Sequence, residues 1–394
     1  MPPPFLIPCG LRAGRPVRFV LLGSLTLLAP MATSGLAHAA GGTTCTVNGV
    51  EQTTSAGSPQ ITAPSGRDNV IDCPAGVNAG DTVLGGSDGA NRITVEGTVY
   101  GTLRSRGSVD TVTITGPLPT LSPRPESHPG IAPGGVLYVD AVKSTVTVTG
   151  GTGYRQDPIG PSAGGAPGNA GTIDGTVSTS DITVIGGSGS PDLNNVAGPG
   201  NTGTILATSA GSVTVQGGDR GRVGGDGSAG NYGVIDGGPG TASITVRGSD
   251  GGLGENLQAG NAGTITASDT GGKVTVRGGD STALGRGAPG NIGSIRAGSG
   301  PSTITVTGGD TTAGPRSGGD GNATASFPDE AVGTIAGGPS NDTIILNGGR
   351  PQSSLPLIGN SGNSGDVDGG GGTNTCTITP AKTFFSTVDN CTIT

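Results

Sequence analysis

GNYGVIDGGPGTASITVR, residues 230–247, holds the unit from which most of this chain is built. Gly233 is followed two positions later by Ile235, and eleven residues after that glycine an apolar–polar–apolar run begins at Ile244, Thr245 and Val246. The same anchor pair recurs as Gly101/Leu103, Gly135/Leu137, Gly171/Ile173, Gly203/Ile205, Gly263/Ile265, Gly293/Ile295 and Gly333/Ile335, with weaker outer copies at Thr82/Leu84 and Gly365/Val367. The second pairs are Ile93/Val95, Val112/Ile114, Val146/Val148, Ile182/Val184, Val213/Val215, Ile244/Val246, Val274/Val276, Ile304/Val306, Ile344/Leu346 and Cys376/Ile378; only Val213 starts one residue early. The interval between anchors varies from 19 to 40 residues while the step inside the unit stays fixed. Fixed internal spacing with variable separation means one structural unit per copy, with insertions between copies.

Each second segment alternates apolar and polar residues and is rich in Val, Ile and Thr, the signature of a strand with one buried face. The first segment reads as a shorter strand of the same kind. Two short strands cannot bury their own apolar face, but copies stacked in register seal each other's Ile, Val and Leu into columns. At roughly 1.5–3 kcal/mol per buried aliphatic side chain, about ten stacked coils offset their chain entropy where one alone does not. The expected fold is all-β: a parallel β-solenoid of about ten coils with glycine-rich insert loops.

Composition alone argues otherwise, because 82 Gly and 29 Pro in 394 residues is a share typical of low-complexity chains. The periodicity overrides it, since a solvated polymer has no use for aliphatic residues at fixed spacing. With 2% aromatics and no Trp, small aliphatics must supply the burial, which suits a thin, elongated fold. The asparagines of Gly168-Asn169, Gly200-Asn201, Gly230-Asn231, Gly260-Asn261 and Gly290-Asn291 then stack at a turn, where Asn tolerates a left-handed backbone and its amide can bond along the stack.

The nine-residue step into the second strand resembles the nonapeptide G-G-x-G-x-D-x-U-x of the RTX calcium β-roll family. Gly337-Gly338-Pro339-Ser340-Asn341-Asp342-Thr343-Ile344 departs from it only at Ser340, and Gly237 to Ile244 keeps the glycines but has Ala242 in place of Asp. The resemblance spans roughly residues 82–378 and implies calcium ligation from the sixth position. That position is Asn91, Asp110, Ser144, Ser180, Gly211, Ala242, Gly272, Ser302, Asp342 and Asn374 in successive copies. Calcium needs several oxygen ligands, usually including carboxylates, so two carboxylates in ten copies predict no regular ladder of ions. Glycine-rich solenoids of autotransporter passengers and of secreted actinobacterial repeat proteins are similar in pattern.

Residues 1–39 carry Arg12, Arg15 and Arg18, an apolar run from Phe19 to Leu28, then Ala37-His38-Ala39, the order of a secretory signal peptide with its cleavage site. The run is too short for a permanent membrane span. Cys9 precedes it and so does not read as a lipid-attachment site. The mature chain is therefore expected to be secreted or held non-covalently at a cell surface. Lys143, Lys273 and Lys382 are the only lysines, and this preference for Arg suggests a GC-rich, bacterial source. Loss of the three signal arginines takes the formal charge from −8 to −11, which speaks against nucleic acid or anionic membrane as a partner.

The expected organisation is a disulfide-bonded cap over residues 40–81, a repeat solenoid over 82–364, and a last coil with a second cap over 365–394. Coils about 4.8 Å apart separate the two ends by roughly 45 Å, far beyond disulfide reach, so the cysteines must pair locally as Cys45–Cys73 and Cys376–Cys391. Such staples blunt the open ends of a solenoid and agree with an oxidising exterior.

For chemistry the sequence offers little. His128 is the sole histidine after the signal, in a Pro-rich stretch, so no Ser-His-Asp or Cys-His site can be assembled. Gly160-Pro161-Ser162-Ala163-Gly164 fits G-x-S-x-G but lacks the strand-to-helix context. Asp329/Glu330 is an isolated acid pair. No catalytic residue, cofactor or metal site is therefore assigned. Thr94, Thr113, Thr147, Thr183, Thr214, Thr245, Thr275, Thr305 and Thr377 form an outward column interrupted by Ile345, and Arg247, Arg277, Lys273 and Asp181 break its flanks. Flat T-x-T ranks resemble ice-binding solenoids, although Thr is also simply a good solvent-facing strand residue. The insertions, such as Gly217 to Gly230 and Gly308 to Ala331, follow the same strand in each coil and should emerge along one edge.

The reading is a secreted, non-enzymatic structural, surface or adhesive protein, monomeric, contacting an extracellular surface or matrix component through its insert loops. The alternatives are a calcium-binding RTX-like module, an ice-binding protein and a degenerate polysaccharide-active β-helix enzyme.

Overall fold

A computed structural model describes residues 41–118, 126–155, 162–190, 196–207, 211–219, 227–251, 258–281, 285–311, 317–323, 332–351, 361–380 and 386–394. The segment read as an export signal lies outside the described residues. Among these there is no α-helix, and the strands form a parallel β-solenoid.

Four strands open the chain: β1 (Thr44–Val47), β2 (Val50–Thr53), β3 (Gln60–Thr62) and β4 (Asn69–Cys73). From β3 and β4 onward every coil adds one strand to each of two parallel sheets. The short-strand sheet has twelve strands, from β3 to Thr387–Asp389; the long-strand sheet has fourteen, of which β1 and β2 form an antiparallel end and the rest run from β4 to Thr392–Ile393. A third column of single bridges runs between them through Val77, Val99, Ile131, Asn169, Asn201, Asn231, Asn261, Asn291, Asn322 and Asn363.

Register follows the repeat columns except at the outer copy read as Thr82/Leu84, where Val83 pairs with Leu103 and faces inward while Leu84 pairs with Arg104, one residue out of the expected column. Ile182 faces Val213 and Val213 faces Ile244, so the copy that is one residue short stays in register, and its deletion falls within the link before Ser212. Alternation does the rest: Ile93, Val95, Val112, Ile114, Val146 and Val148 point inward with no exposed surface, and the short-strand residues Val83, Leu103, Leu137 and Ile173 meet them. Each coil thus supplies about three aliphatic side chains to one continuous core, whose burial is the main force stacking the coils.

Two coils were not visible as copies. β3 and β4 pair in register with Thr82–Leu84 and Asn91–Glu96, so the solenoid begins inside the segment expected to be only a cap. At the other end Thr387–Asp389 and Thr392–Ile393 add a further rung. Both lack the anchor glycine, because Pro59 and Ser386 stand two residues before the inward Ile61 and Val388.

The true N-terminal lid is the β1–β2 hairpin, turned at Asn48-Gly49 with both residues at positive φ (52° and 80°), the geometry that Asn-Gly favours in a two-residue hairpin. It lays Cys45 and Val47 over the core, and Cys45 bonds Cys73. Asp81 ties the lid down, accepting from Thr43 N at 2.9 Å and from the hydroxyls of Thr43 and Thr54 at 2.7 Å each. Burial alone would raise its pKa, but these donors hold the carboxyl below its ordinary value of 3.8. The C-terminal end is closed by Cys376–Cys391 and leaves Ile393, a core-column residue, 61% exposed.

Candidate functional site

The sixth-position column, where the RTX resemblance places calcium ligands, is turned into the protein. Asn91, Asp110, Ser144, Ser180, Ser302, Asp342 and Asn374 are all buried. Asp110 Oδ1 accepts from Asn91 N and Asn91 Nδ2 at 2.8 Å each; Asp110 Oδ2 accepts from Gly107 N at 2.9 Å and Ser105 Oγ at 2.5 Å. Asp342 does likewise with Ser302 N and Gly338 N, both at 2.7 Å, and its own N–H donates to Asn374 Oδ1 at 2.8 Å. The column fastens one coil's corner to the next, and both of its carboxylates spend their lone pairs on protein donors.

The asparagine column is also internal. Asn169 Nδ2 donates to Asn201 Oδ1, Asn201 to Asn231, and Asn231 to Asn261, each at 2.8 Å; the chain continues through Asn291 and Asn322 to Asn363. All seven are fully buried. The left-handed backbone expected for them is not found, since the non-glycine residues with positive φ are Asn48, Asp88 and Asn390. These asparagines instead sit in extended bridges and form the turn with their side chains, as when Asn231 Oδ1 accepts from Gly233 N at 3.2 Å.

The threonine column is in register along the outer face of the long-strand sheet, from Thr94 to Thr305, is broken at Ile345 and resumes at Thr377. Among the described residues the single hydroxyl–hydroxyl bond of this column joins Thr377 to Thr394, at 2.9 Å. The hydroxyls from Thr94 to Thr305 have no protein partner there, so the bonding between rungs that would make them purely structural does not occur.

Behind this face lies a corner built almost wholly of glycine. After each long strand the chain reaches a pair such as Gly150-Gly151, Gly186-Gly187, Gly278-Gly279 or Gly308-Gly309, and it re-enters the coil at glycines such as Gly165, Gly198 and Gly319. The outgoing and returning chains are bonded to each other and to neighbouring coils: Gly198 N to Gly187 O at 2.8 Å, Gly218 N to Gly198 O at 2.8 Å, Gly349 N to Gly319 O at 2.7 Å. A Cβ at Gly187 would lie 1.9 Å from Gly151 O, and one at Gly279 would lie 1.8 Å from Ser249 O. Most insertions leave and return through this seam, with most of their length outside the described residues. Residues 324–331, which hold Asp329/Glu330, instead depart after Ala323 and return at Val332, between the Asn322 bridge and the short strand Thr334–Ala336, so the single edge expected from the sequence does not hold for them.

On the rim of the seam Asp250, Asp280 and Asp310 stack, each taking the backbone N–H of the next coil: Asp280 N to Asp250 Oδ1 at 2.9 Å, Asp310 N to Asp280 Oδ1 and Arg350 N to Asp310 Oδ1 at 2.7 Å. Arg247 pairs with Asp250, and Arg277 pairs with Asp280 at 2.7 Å and with Asp310 at 3.3 Å. Burial opposes the charge on Arg277, but the hydrogen bond to Asp280 and the nearby Asp310 and Asp250 carry its pKa above the ordinary value. The arginines that seemed only to interrupt the threonine ranks thus neutralise this acidic rim. The repeated Arg-Gly-x-Asp at 247–250 and 277–280 is the sequence signal that pairs them, and only a contact with the next coil's Asp, as of Arg277 with Asp310, needs the register.

His128 Nδ1 stands 3.4 Å from Tyr100 Oη, a phenol that also feels Glu126, and the G-x-S-x-G stretch falls partly outside the described residues. No helix among the described residues is long and apolar enough to cross a membrane. No family model matches this chain, and no curated protein or solved structure does either.

Proposed function

We propose that this chain is an exported, non-enzymatic scaffold that meets an extracellular surface or matrix component through its insert loops. The observation carrying this reading is the glycine seam. Apart from residues 324–331, the insertions, different in length and sequence, depart from and return to stacked positions at one corner of a rigid double ladder, which is how a scaffold presents variable loops along one edge. Disulfides at both ends and the absence of a membrane-length helix among the described residues agree with an extracellular setting. The test is excision of residues 220–226 and 252–257 together, with short glycine links, followed by adhesion of labelled protein to intact cells and matrix. The β-type circular dichroism should persist while adhesion falls; undiminished adhesion would refute the reading.

One observation favours a second reading. The unpartnered threonine hydroxyls repeat at the coil spacing of about 4.8 Å and sit about 7 Å from their neighbours two residues along the strand. Such a rank suits an ordered surface, ice included. Thermal hysteresis abolished by Thr183→Lys and Thr245→Lys together would support it; no hysteresis in the parent protein would remove it.

A further inference from the structure

A groove opens between the long-strand face and the rim of the glycine seam over the last coils. It encloses about 610 Å³. Its floor is the outermost column of the sheet, which runs in register through Arg247, Arg277, Thr307, Asn347 and Thr379. Its wall is the rim column of Asp250, Asp280, Asp310 and Arg350. In the upstream coils, floor and wall are joined by the Arg247–Asp250 and Arg277–Asp280 ion pairs, and there the groove is filled. From Thr307 onward the floor side chains are too short to reach the wall, and the groove is open.

Two cationic groups mark this opening. Arg350 stands where the upstream coils have Asp, and its exposed side chain has no partner among the described residues. Arg277 closes the upstream end with its Nε buried and unpartnered. Between them Thr307, Asn347 and Thr379 supply hydroxyl and amide groups at successive coil steps. Among the described residues Asp310 is the one carboxylate lining the groove, and its oxygens already accept from Arg350 N and Arg277.

We propose that this groove binds a linear carboxylate-bearing glycan, with Arg350 meeting a uronate carboxylate and Thr307, Asn347 and Thr379 meeting its hydroxyls. Guanidinium groups prefer planar carboxylates, and a strip of hydroxyls and amides that both donate and accept matches a polyol. The groove runs along the stack, as a linear polymer requires, and offers no apolar pocket beyond the faces of Pro351 and Pro380 for a peptide or lipid anchor. Among the described residues its single carboxylate is already engaged, and the acid pair that glycoside hydrolysis uses is not found there, so binding is the role proposed. In a chain of formal charge −8, attraction of an acidic polymer must come from such a local cationic end, because the overall field opposes it. The proposal rests on the extracellular reading, since it names the matrix component met there.

The test is calorimetric titration of the purified mature protein with hexagalacturonate, and with cellohexaose as the neutral chain of equal length. Hexagalacturonate should bind, more weakly as salt rises, and cellohexaose should bind at least about tenfold more weakly. Arg350→Ala keeps the backbone N–H that Asp310 uses, so it should leave thermal unfolding unchanged while weakening hexagalacturonate about tenfold, the loss of one charge-assisted contact; Arg350→Gln gives a second, size-conserving check. Absent hexagalacturonate binding, equal affinity for cellohexaose, or undiminished affinity in both variants would each overturn the proposal. Because purified protein is used, failure here leaves the extracellular reading intact, and that reading is judged separately by cell fractionation and adhesion.

Discussion

The coils before residue 135 and those after residue 165 place opposite chemistry at the same point of the cross-section. In the first group the third bridge column is Val77, Val99 and Ile131, all fully buried; in the second it is seven buried asparagines from Asn169 to Asn363. An aliphatic column contributes by area, holds its neighbours loosely in register and tolerates imperfect fit. An amide ladder contributes by direction: every Nδ2 has one Oδ1 to reach, and a coil out of register strands two buried polar groups. The ladder is confined to the stretch that carries the glycine seam and its insertions. From Asn169 to Asn363 each coil is interrupted by chain that adds little to the core, and a directional bond follows the interruption; the insertion ahead of Ile131 is met by an aliphatic residue instead.

This contrast can be broken most severely at the middle of the ladder. Asn231→Leu strips buried Asn201 Nδ2 and Asn261 Oδ1 of their ladder partner, leaving the longer bonds to Gly203 O and from Gly263 N, and should cost about 3 kcal/mol, read as loss of amide-exchange protection in the coils on both sides. Gly279→Ala attacks the seam of the same coils. With its Cβ 1.8 Å from Ser249 O, backbone must move, and we expect about 3 kcal/mol by the same measurement. An unprotected parent protein in either region would remove both expectations.

A swap sharpens the comparison. Val99→Asn sets an amide between Val77 and Ile131 and should destabilise by about 2 kcal/mol, whereas Ile131→Asn lies next to Asn169 and extends the ladder by one step, recovering about half of that loss. Equal effects in thermal melts would mean that the asparagines act singly and not as a ladder.

The smallest effect belongs to the N-terminal lid. The folded pKa of Asp81 lies below its ordinary 3.8, so its contribution is complete at neutral pH and fades as the pH falls below that value through the folded pKa. Amides of residues 44–53 should therefore exchange faster below about pH 4 while the coils stay protected, and Asp81→Asn should mimic this at pH 7 by about 1 kcal/mol. Insensitivity of the lid to both would show that Cys45–Cys73 alone holds it.

Much of the fold could be read from spacing. The eleven-residue step from Gly233 to Ile244 specified two strands per coil, and the order of coils then left local pairing as the sole geometry open to the cysteines, as the Cys45–Cys73 and Cys376–Cys391 bonds show. The terminal coils escaped notice because Pro59 and Ser386 replace the anchor glycine while Ile61 and Val388 still point inward. The candidate site was far less legible. Arg247 and Arg277 read as interruptions of the threonine ranks, although each has an Asp three residues on, Asp250 and Asp280; register adds Asp310 beside Arg277. The stacking of one coil's Asp on the next, and the reach of Arg277 to Asp310, join side chains about thirty residues apart, which no local pattern links.

The sequence by itself determined what repeats along the stack: alternation chose the buried face of each strand, and fixed spacing chose the register, because both are properties of a single coil multiplied. Only the tertiary structure decided what happens around the cross-section. Whether Asn231 faces water or the core, whether Gly187 is slack or packed against Gly151 O, and whether Asp110 is open to a cation or consumed by Asn91 and Gly107 depend on where the third corner closes. That corner is set by backbone packed on backbone, and glycine carries no side chain through which the sequence could announce it.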